Sequence, residues 1–100
     1  MSWSIRIKTD KEVNENDIDN IVANLPERYH GLLGEKMGFR KESWGWHTCV
    51  DIQKPVPGDK YLDLSGSCSI SGYIACEMSD YMASCLRAKD YRASVGRIRV

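Results

Sequence analysis

Alternation of apolar and polar residues is the sequence feature that most limits how this chain can fold. Four segments show it, and in the first of them Trp3, Ile5 and Ile7 alternate with polar residues. A period of two is typical of a strand that buries one face. The other three segments run from Trp44 to Ile52, from Tyr61 to Ile70 and from Val95 to Val100. The chain is therefore expected to form a sheet of four strands.

A compact turn joins the second and third of these segments. Pro55-Val56-Pro57-Gly58-Asp59 combines prolines, which fix φ, with a glycine, which adopts positive φ without a steric penalty. Two alternating segments around so short a loop predict an antiparallel hairpin.

Two other segments carry apolar residues three and four positions apart, which predicts helices. In the first, Asn14 is the expected N-cap, and Pro26 kinks or ends the helix near Leu25. The apolar stripe of this helix consists of Ile18, Ile21, Val22 and Leu25. A second short helix is expected from Glu27 to Leu33. Ser69 or Ser71 is the expected N-cap of the second long helix. Its apolar stripe consists of Ile74, Ala75, Met78, Tyr81, Met82 and Cys85.

The resulting order is β-α-β-β-α-β with a hairpin in the middle, which is the order of the ferredoxin-like arrangement. The sequence thus predicts an α+β fold, with a four-stranded antiparallel sheet and the two main helices on one face. The predicted spatial order is last strand, first strand, third strand, second strand. One hundred residues suit a single domain, 1–100.

The composition argues against several broad classes of function. Fourteen basic and fourteen acidic residues cancel, so bulk charge favours neither nucleic acid nor an anionic membrane. The first six residues lack the apolar core of a secretion signal, and no later run approaches the ~18 apolar residues of a membrane span. We therefore expect a cytoplasmic protein with no membrane partner. Its four cysteines match no common zinc spacing, and we expect free thiols with neither metal nor cofactor.

The predicted topology gathers cations on the open face of the sheet. Arg6 and Lys8 would lie beside Arg97 and Arg99, with Tyr61 on the next strand. Such a face can track and stack single-stranded nucleic acid. In outline it is similar to the surface of RNA-recognition domains, although their motif of a basic residue, a glycine and clustered aromatics is absent here.

An ordinary soluble sheet face is the alternative interpretation. Arg6 opposite Asp63 would then be a cross-strand ion pair, and Asp51 and Asp63 would repel phosphates. With Arg97 and Arg99 on the open face, the other side of the last strand faces the core. That side consists of Gly96, Ile98 and Val100.

A second candidate contact surface is the irregular stretch Gly34–Lys41. Lys36, Arg40 and Lys41 make it basic, and Phe39 offers an aromatic contact. A plain connecting loop is the alternative interpretation.

No set of catalytic residues stands out, so an enzyme is not expected. His47 and Cys49 share one strand face, but no oxyanion-hole signature accompanies them. A small ordered domain with mixed charge and exposed strand edges favours a protein that binds another protein, as a regulator or inhibitor. In size and in its lack of enzyme motifs the chain resembles the small accessory proteins of phages and mobile elements, anti-CRISPR inhibitors among them. The alternatives are single-stranded nucleic-acid binding through the open face and a structural subunit of a homo-oligomer, such as a homodimer paired through an edge strand.

Overall fold

The computed structural model describes residues 3–29, 51–53, 56–66 and 72–99. Within these ranges the chain forms four strands, two α-helices and one short 3-10 turn. They are β1 (Trp3–Thr9), α1 (Glu15–Ala23), the 3-10 turn (Glu27–Tyr29), β2 (Asp51–Ile52), β3 (Tyr61–Gly66), α2 (Gly72–Ala88) and β4 (Ala93–Arg99). The predicted α+β class with an antiparallel sheet is confirmed.

Three strands of six or seven residues form the body of the sheet. β1 pairs antiparallel with β3 on one side and with β4 on the other. The two-residue β2 pairs with β3, which gives the order β2-β3-β1-β4. Most of the predicted second strand, 44–52, lies outside the described residues. β4 is the last strand in this order and, among the residues that the structure describes, forms one lateral edge of the sheet.

α1 begins where the sequence predicts. Asn14 Oδ1 accepts a hydrogen bond from Asn16 N–H at 2.8 Å, and the Asn14 backbone is extended, as an N-cap requires. Glu15 and Asp17 add negative charge at the positive end of the helix dipole. Ala23 is the last helical residue, three before the proline that was expected to kink or end the helix.

Both predictions that concern the helices beyond α1 are only partly covered by the described residues. The short helix expected from Glu27 to Leu33 is seen as a 3-10 turn over its first three residues, and the rest lies outside the described ranges. The same is true of Ser69 and Ser71, the expected caps of α2. The described part of α2 starts at Gly72.

α2 ends in a Schellman motif. Tyr91 N–H donates to the Leu86 carbonyl and Asp90 N–H to the Arg87 carbonyl, each at 3.1 Å. Asp90 occupies the left-handed position of the motif with φ of 68°. Glycine usually holds this position because it has no Cβ. The chain passes from this motif directly into β4.

One hydrophobic core lies between the helices and one face of the sheet. The strands contribute Ile5, Ile7, Ile52, Leu62 and Leu64, and the helices contribute Ile18, Ile21, Val22, Ala75, Met78, Met82, Ala83 and Leu86. The stripes predicted for both helices therefore supply much of the core, although Tyr81 and Cys85 are only partly buried against it. Neither α-helix in the described ranges is long and apolar enough to cross a membrane.

The phase of β4 differs from the prediction by one residue. Val95 packs against the core and lies opposite Ile7, whereas Gly96 lies opposite Arg6. The sequence predicts the reverse, with Gly96 facing the core. Periodicity does not decide between the two phases, because both contain apolar side chains. Contacts of Tyr91, at the entry to the strand, set the phase instead.

Candidate functional site

The ion pair expected on the open face of the sheet is present. Arg6 Nε and Nη2 donate to the two carboxylate oxygens of Asp63 at 2.8 and 2.9 Å, and these bonds raise the pKa of Arg6. The Arg6 guanidinium also lies 3.8 Å from the centre of the Tyr61 ring. Arg6 therefore covers one face of the aromatic ring on which a base would stack, and Asp63 balances its charge. Lys8 is exposed on the same face.

The strand register does not bring four cations onto this face. The residue of β4 opposite Arg6 is Gly96, while Arg97 lies opposite Ile5 and Arg99 follows at the same phase. The prediction that Arg97 and Arg99 share a face with Arg6 is therefore wrong. Their side chains lie outside the described part of the structure, and their role in partner binding stays a prediction.

The second predicted contact surface lies outside the described residues, and so do His47 and Cys49. This surface comprises Lys36, Phe39, Arg40 and Lys41. Within the described ranges, Cys76 and Cys85 are half-buried free thiols. No three side chains of His, Cys, Asp or Glu in those ranges cluster so as to hold a metal ion.

β4 directs every second residue's backbone groups away from the sheet. In an antiparallel pair, successive residues point their N–H and C=O groups alternately toward and away from the neighbouring strand. Thr9 N–H donates to the Lys60 carbonyl on the β3 side at 2.9 Å, so Thr9 and each second residue before it face β3. The β4 partners of these residues are Ala93, Val95 and Arg97. Their N–H and C=O groups consequently point outward, and we call this row the β4 edge.

A side-chain contact agrees with this phase. Arg87 Nε and Nη2 donate to the Ala93 carbonyl at 3.0 and 2.8 Å, as is possible only if that carbonyl points away from β1. Among the described residues, no recorded hydrogen bond reaches the outward N–H and C=O of Val95. Within the described ranges, the β4 edge is thus capped at its first carbonyl and has no hydrogen-bond partner at the next outward-facing residue, Val95.

Three hydrogen bonds hold the start of β4 in place. Tyr91 is 4% exposed, and its hydroxyl donates to Asp17 Oδ2 at 2.7 Å and accepts from Asn14 N–H at 2.9 Å. Burial raises the pKa of Tyr91. Arg92 N–H donates to Asp10 Oδ1 at 2.9 Å, which lowers the pKa of Asp10. The start of α1 and the end of β1 therefore fix both the position and the phase of β4.

A shallow pocket of about 380 Å³ lies at this end of the β4 edge. Its lining consists of Arg87, Tyr91, Arg92, Ala93 and Ser94, and we call it the arginine pocket. The two arginines are exposed, whereas Tyr91 and Ala93 are buried. The pocket thus combines an apolar floor with cationic walls, directly beside the capped carbonyl of Ala93.

Sequence reasoning missed both Arg87 and Arg92, although a signal was present. Residues 87–100, here called the basic segment, contain five of the fourteen basic residues and only one of the fourteen acidic residues. Its net charge is therefore +4, which the balanced total of the chain conceals. Charge counted in windows along the chain would have revealed it.

Comparisons of the chain with protein-family models, with curated proteins and with solved structures gave no match. What the site can bind is therefore argued from its own polar groups. The β4 edge offers a row of backbone donors and acceptors, and the arginine pocket adds two guanidinium groups at one end of that row.

Proposed function

We propose that this chain is a small non-enzymatic protein-binding domain whose partner adds a strand to the β4 edge. The observation that carries the proposal is the outward direction of the Val95 and Arg97 backbone groups on a seven-residue edge strand. Extended segments bind such edges through main-chain hydrogen bonds, and their side chains supply specificity.

The fixed start of β4 supports this proposal. Tyr91 and Arg92 are bonded to Asp17, Asn14 and Asp10, so the edge does not have to be ordered when a partner arrives. Preorganisation of this kind improves affinity because less conformational entropy is lost on binding.

The wider biological role extends the same proposal. A domain that occupies a segment of another protein acts as a regulator or inhibitor, as small accessory proteins of phages and mobile elements do. A cytoplasmic site of action suits the free thiols of Cys76 and Cys85, because reducing compartments keep thiols unpaired.

For the complete chain we propose the ferredoxin-like arrangement. The described pairings are all antiparallel, and β2 pairs with the side of β3 that β1 leaves free. In this arrangement β2 belongs to the predicted second strand, most of which lies outside the described residues. It would form the far edge of the sheet, so β4 would remain the opposite edge.

Nucleic-acid binding through the open face is less well supported. Arg6, the central cation of that face, is paired with Asp63 and lies over Tyr61. A phosphate would have to compete with a bidentate carboxylate, and a base would find one face of the ring already occupied.

A proline substitution tests strand addition. Val95→Pro removes one outward N–H while the β1 ladder stays intact, because the Val95 N–H does not point toward β1. We expect this variant to lose a partner that the parent protein captures from a lysate. Val95→Ala is the matched control, since it shortens the same side chain and keeps the N–H.

Amide hydrogen exchange tests the same contact directly. In the free protein, the Ser94 and Gly96 amides should exchange slowly and the Val95 and Arg97 amides quickly. When the captured partner is bound, exchange of the Val95 and Arg97 amides should slow about tenfold or more. If Val95→Pro keeps the partner, or if Val95 exchange is unchanged in the complex, strand addition at β4 is wrong.

A further inference from the structure

The arginine pocket lies where an added strand would pass the start of β4. Ala93 and Ser94 belong both to the strand and to the pocket lining. A peptide paired along the β4 edge would therefore carry one of its side chains, or its terminus, to Arg87 and Arg92. What the pocket binds then decides which segments the domain selects.

Arg87 is held in position and retains binding capacity. Its Nε–H and one Nη2–H are used by the Ala93 carbonyl. A guanidinium has five N–H donors, so three more are available in addition to those bonds. The bond to Ala93 fixes the orientation of these donors, which favours a ligand with two acceptor oxygens in one plane.

The charge distribution indicates the sign of the ligand. The basic segment carries a net charge of +4, while residues 1–86 hold nine basic and thirteen acidic residues. A second copy of this chain would place one basic segment against another, which like-charge repulsion opposes. An acidic segment of a different protein is complementary to both the edge and the pocket.

We infer that the segment added to the β4 edge places a carboxylate in the arginine pocket, between Arg87 and Arg92. The carboxylate is either an Asp or Glu side chain or the free C-terminus of the partner. This inference rests on the proposed strand addition and names the chemical class of segment that the domain recognises.

Peptide libraries of about ten residues, long enough to cover the seven residues of β4, test the inference. One library has blocked C-termini and the other has free C-termini. We expect one of two results. Either the peptides selected from the blocked library share an acidic residue at one position, or only the library with free C-termini yields binders. These two results identify the side chain or the terminus as the source of the carboxylate. Selection without acidic preference in either library overturns the inference.

Arg92→Gln is the variant that tests the pocket. Arg92 is substituted because Arg87 also caps the Ala93 carbonyl. For the best selected peptide, Arg92→Gln should weaken binding about tenfold or more, and should leave binding of its neutral analogue unchanged. Lys60→Gln removes the same charge from an exposed position outside the pocket and should have little effect. Equal weakening of both peptides by Arg92→Gln overturns the inference.

The two proposals fail in different ways. If Arg92→Gln has no selective effect while Val95→Pro abolishes binding, strand addition stands and the pocket does not select a carboxylate. If Val95→Pro leaves carboxylate-dependent binding intact, the pocket acts without strand addition. A third outcome overturns both proposals in favour of nucleic acid. In it, neither library yields a selected peptide, the protein binds a single-stranded oligothymidine, and Arg92→Gln weakens that binding.

Discussion

Tyr91 is the residue that connects the end of α2, the start of α1 and the start of β4. Its N–H completes the Schellman motif, and its hydroxyl bridges Asp17 and the Asn14 backbone. Lys11 adds a cation 4.7 Å from the ring centre. A single side chain thus sets the phase of the strand to which we assign the function.

Removal of the Tyr91 hydroxyl tests this role. Tyr91→Phe leaves the Asn14 N–H without its acceptor and the Asp17 carboxylate without its donor. We expect the free energy of unfolding to fall by about 1–3 kcal/mol, measured by urea denaturation. Tyr61→Phe is the control, because phenylalanine retains the ring under Arg6, and it should change stability by less than about 0.5 kcal/mol. Equal effects of the two substitutions would contradict the assigned role.

The pH dependence of this difference has a defined direction. Burial raises the pKa of Tyr91 above the value of about 10 that it has in the unfolded chain. The protonated hydroxyl therefore stabilises the fold fully below about pH 10, and this stabilisation is lost as the pH rises through the folded-state pKa. The gap between the parent protein and Tyr91→Phe should stay constant near neutral pH and narrow above about pH 10. A gap that widens there would contradict burial as the cause.

At the scale of elements, local signals predicted the α+β class, the antiparallel sheet and the two main helices. Ile5 and Ile7 on β1, Leu62 and Leu64 on β3, and the Asn14 cap of α1 each follow from one periodicity or one residue type. Neighbours in sequence settle such features, which is why sequence alone predicts them.

The phase of β4 could not be obtained in this way. Its residues are apolar on both sides of the strand, and the choice depends on Tyr91 contacts with residues more than seventy positions away. The candidate site was missed for the same reason: Arg87 belongs to α2 and gains its role only where Ala93 folds back beside it. Only the window of positive charge in residues 87–100 was visible beforehand.

The turn between α2 and β4 contains backbone strain that a substitution can remove. Asp90 has φ of 68° at a position that favours glycine. Asp90→Gly should therefore raise the free energy of unfolding by up to about 1 kcal/mol, measured by denaturation. Asp90→Asn removes the charge and should change little, because asparagine also tolerates the left-handed region.

A control of opposite sign accompanies this change. Ser84 is exposed in the interior of α2. Ser84→Gly should lower the free energy of unfolding by about 0.5 kcal/mol, because glycine loses more backbone entropy in a helix than serine does. If Asp90→Gly destabilises the protein as Ser84→Gly does, the left-handed turn is not a source of strain.

At the scale of the whole molecule, the separation of charge is the feature by which the proposed open strand edge would avoid self-association. Unpaired edges are sites of aggregation, and natural sheets protect them with cations. Here the basic segment contains the edge strand, and the compensating acidic residues lie in the rest of the chain. If β4 binds an added strand as we propose, this charge would repel a second copy of the chain and attract an acidic segment.

Charge separation of this kind predicts that the protein is a monomer at low ionic strength, and that it dimerises when the charge at the β4 edge is reduced or screened. Light scattering at low ionic strength should give the mass of a single chain, 11.4 kDa. Arg92→Gln with Arg97→Gln lowers the net charge of the basic segment from +4 to +2 and should promote dimers. Salt that shortens the Debye length from about 30 Å to about 3 Å should do the same. Lys8→Gln with Lys60→Gln removes equal charge elsewhere and should leave the protein monomeric. A stable dimer of the parent chain at low ionic strength would instead support a homo-oligomeric subunit, because like-charge repulsion would then be too weak to protect the edge.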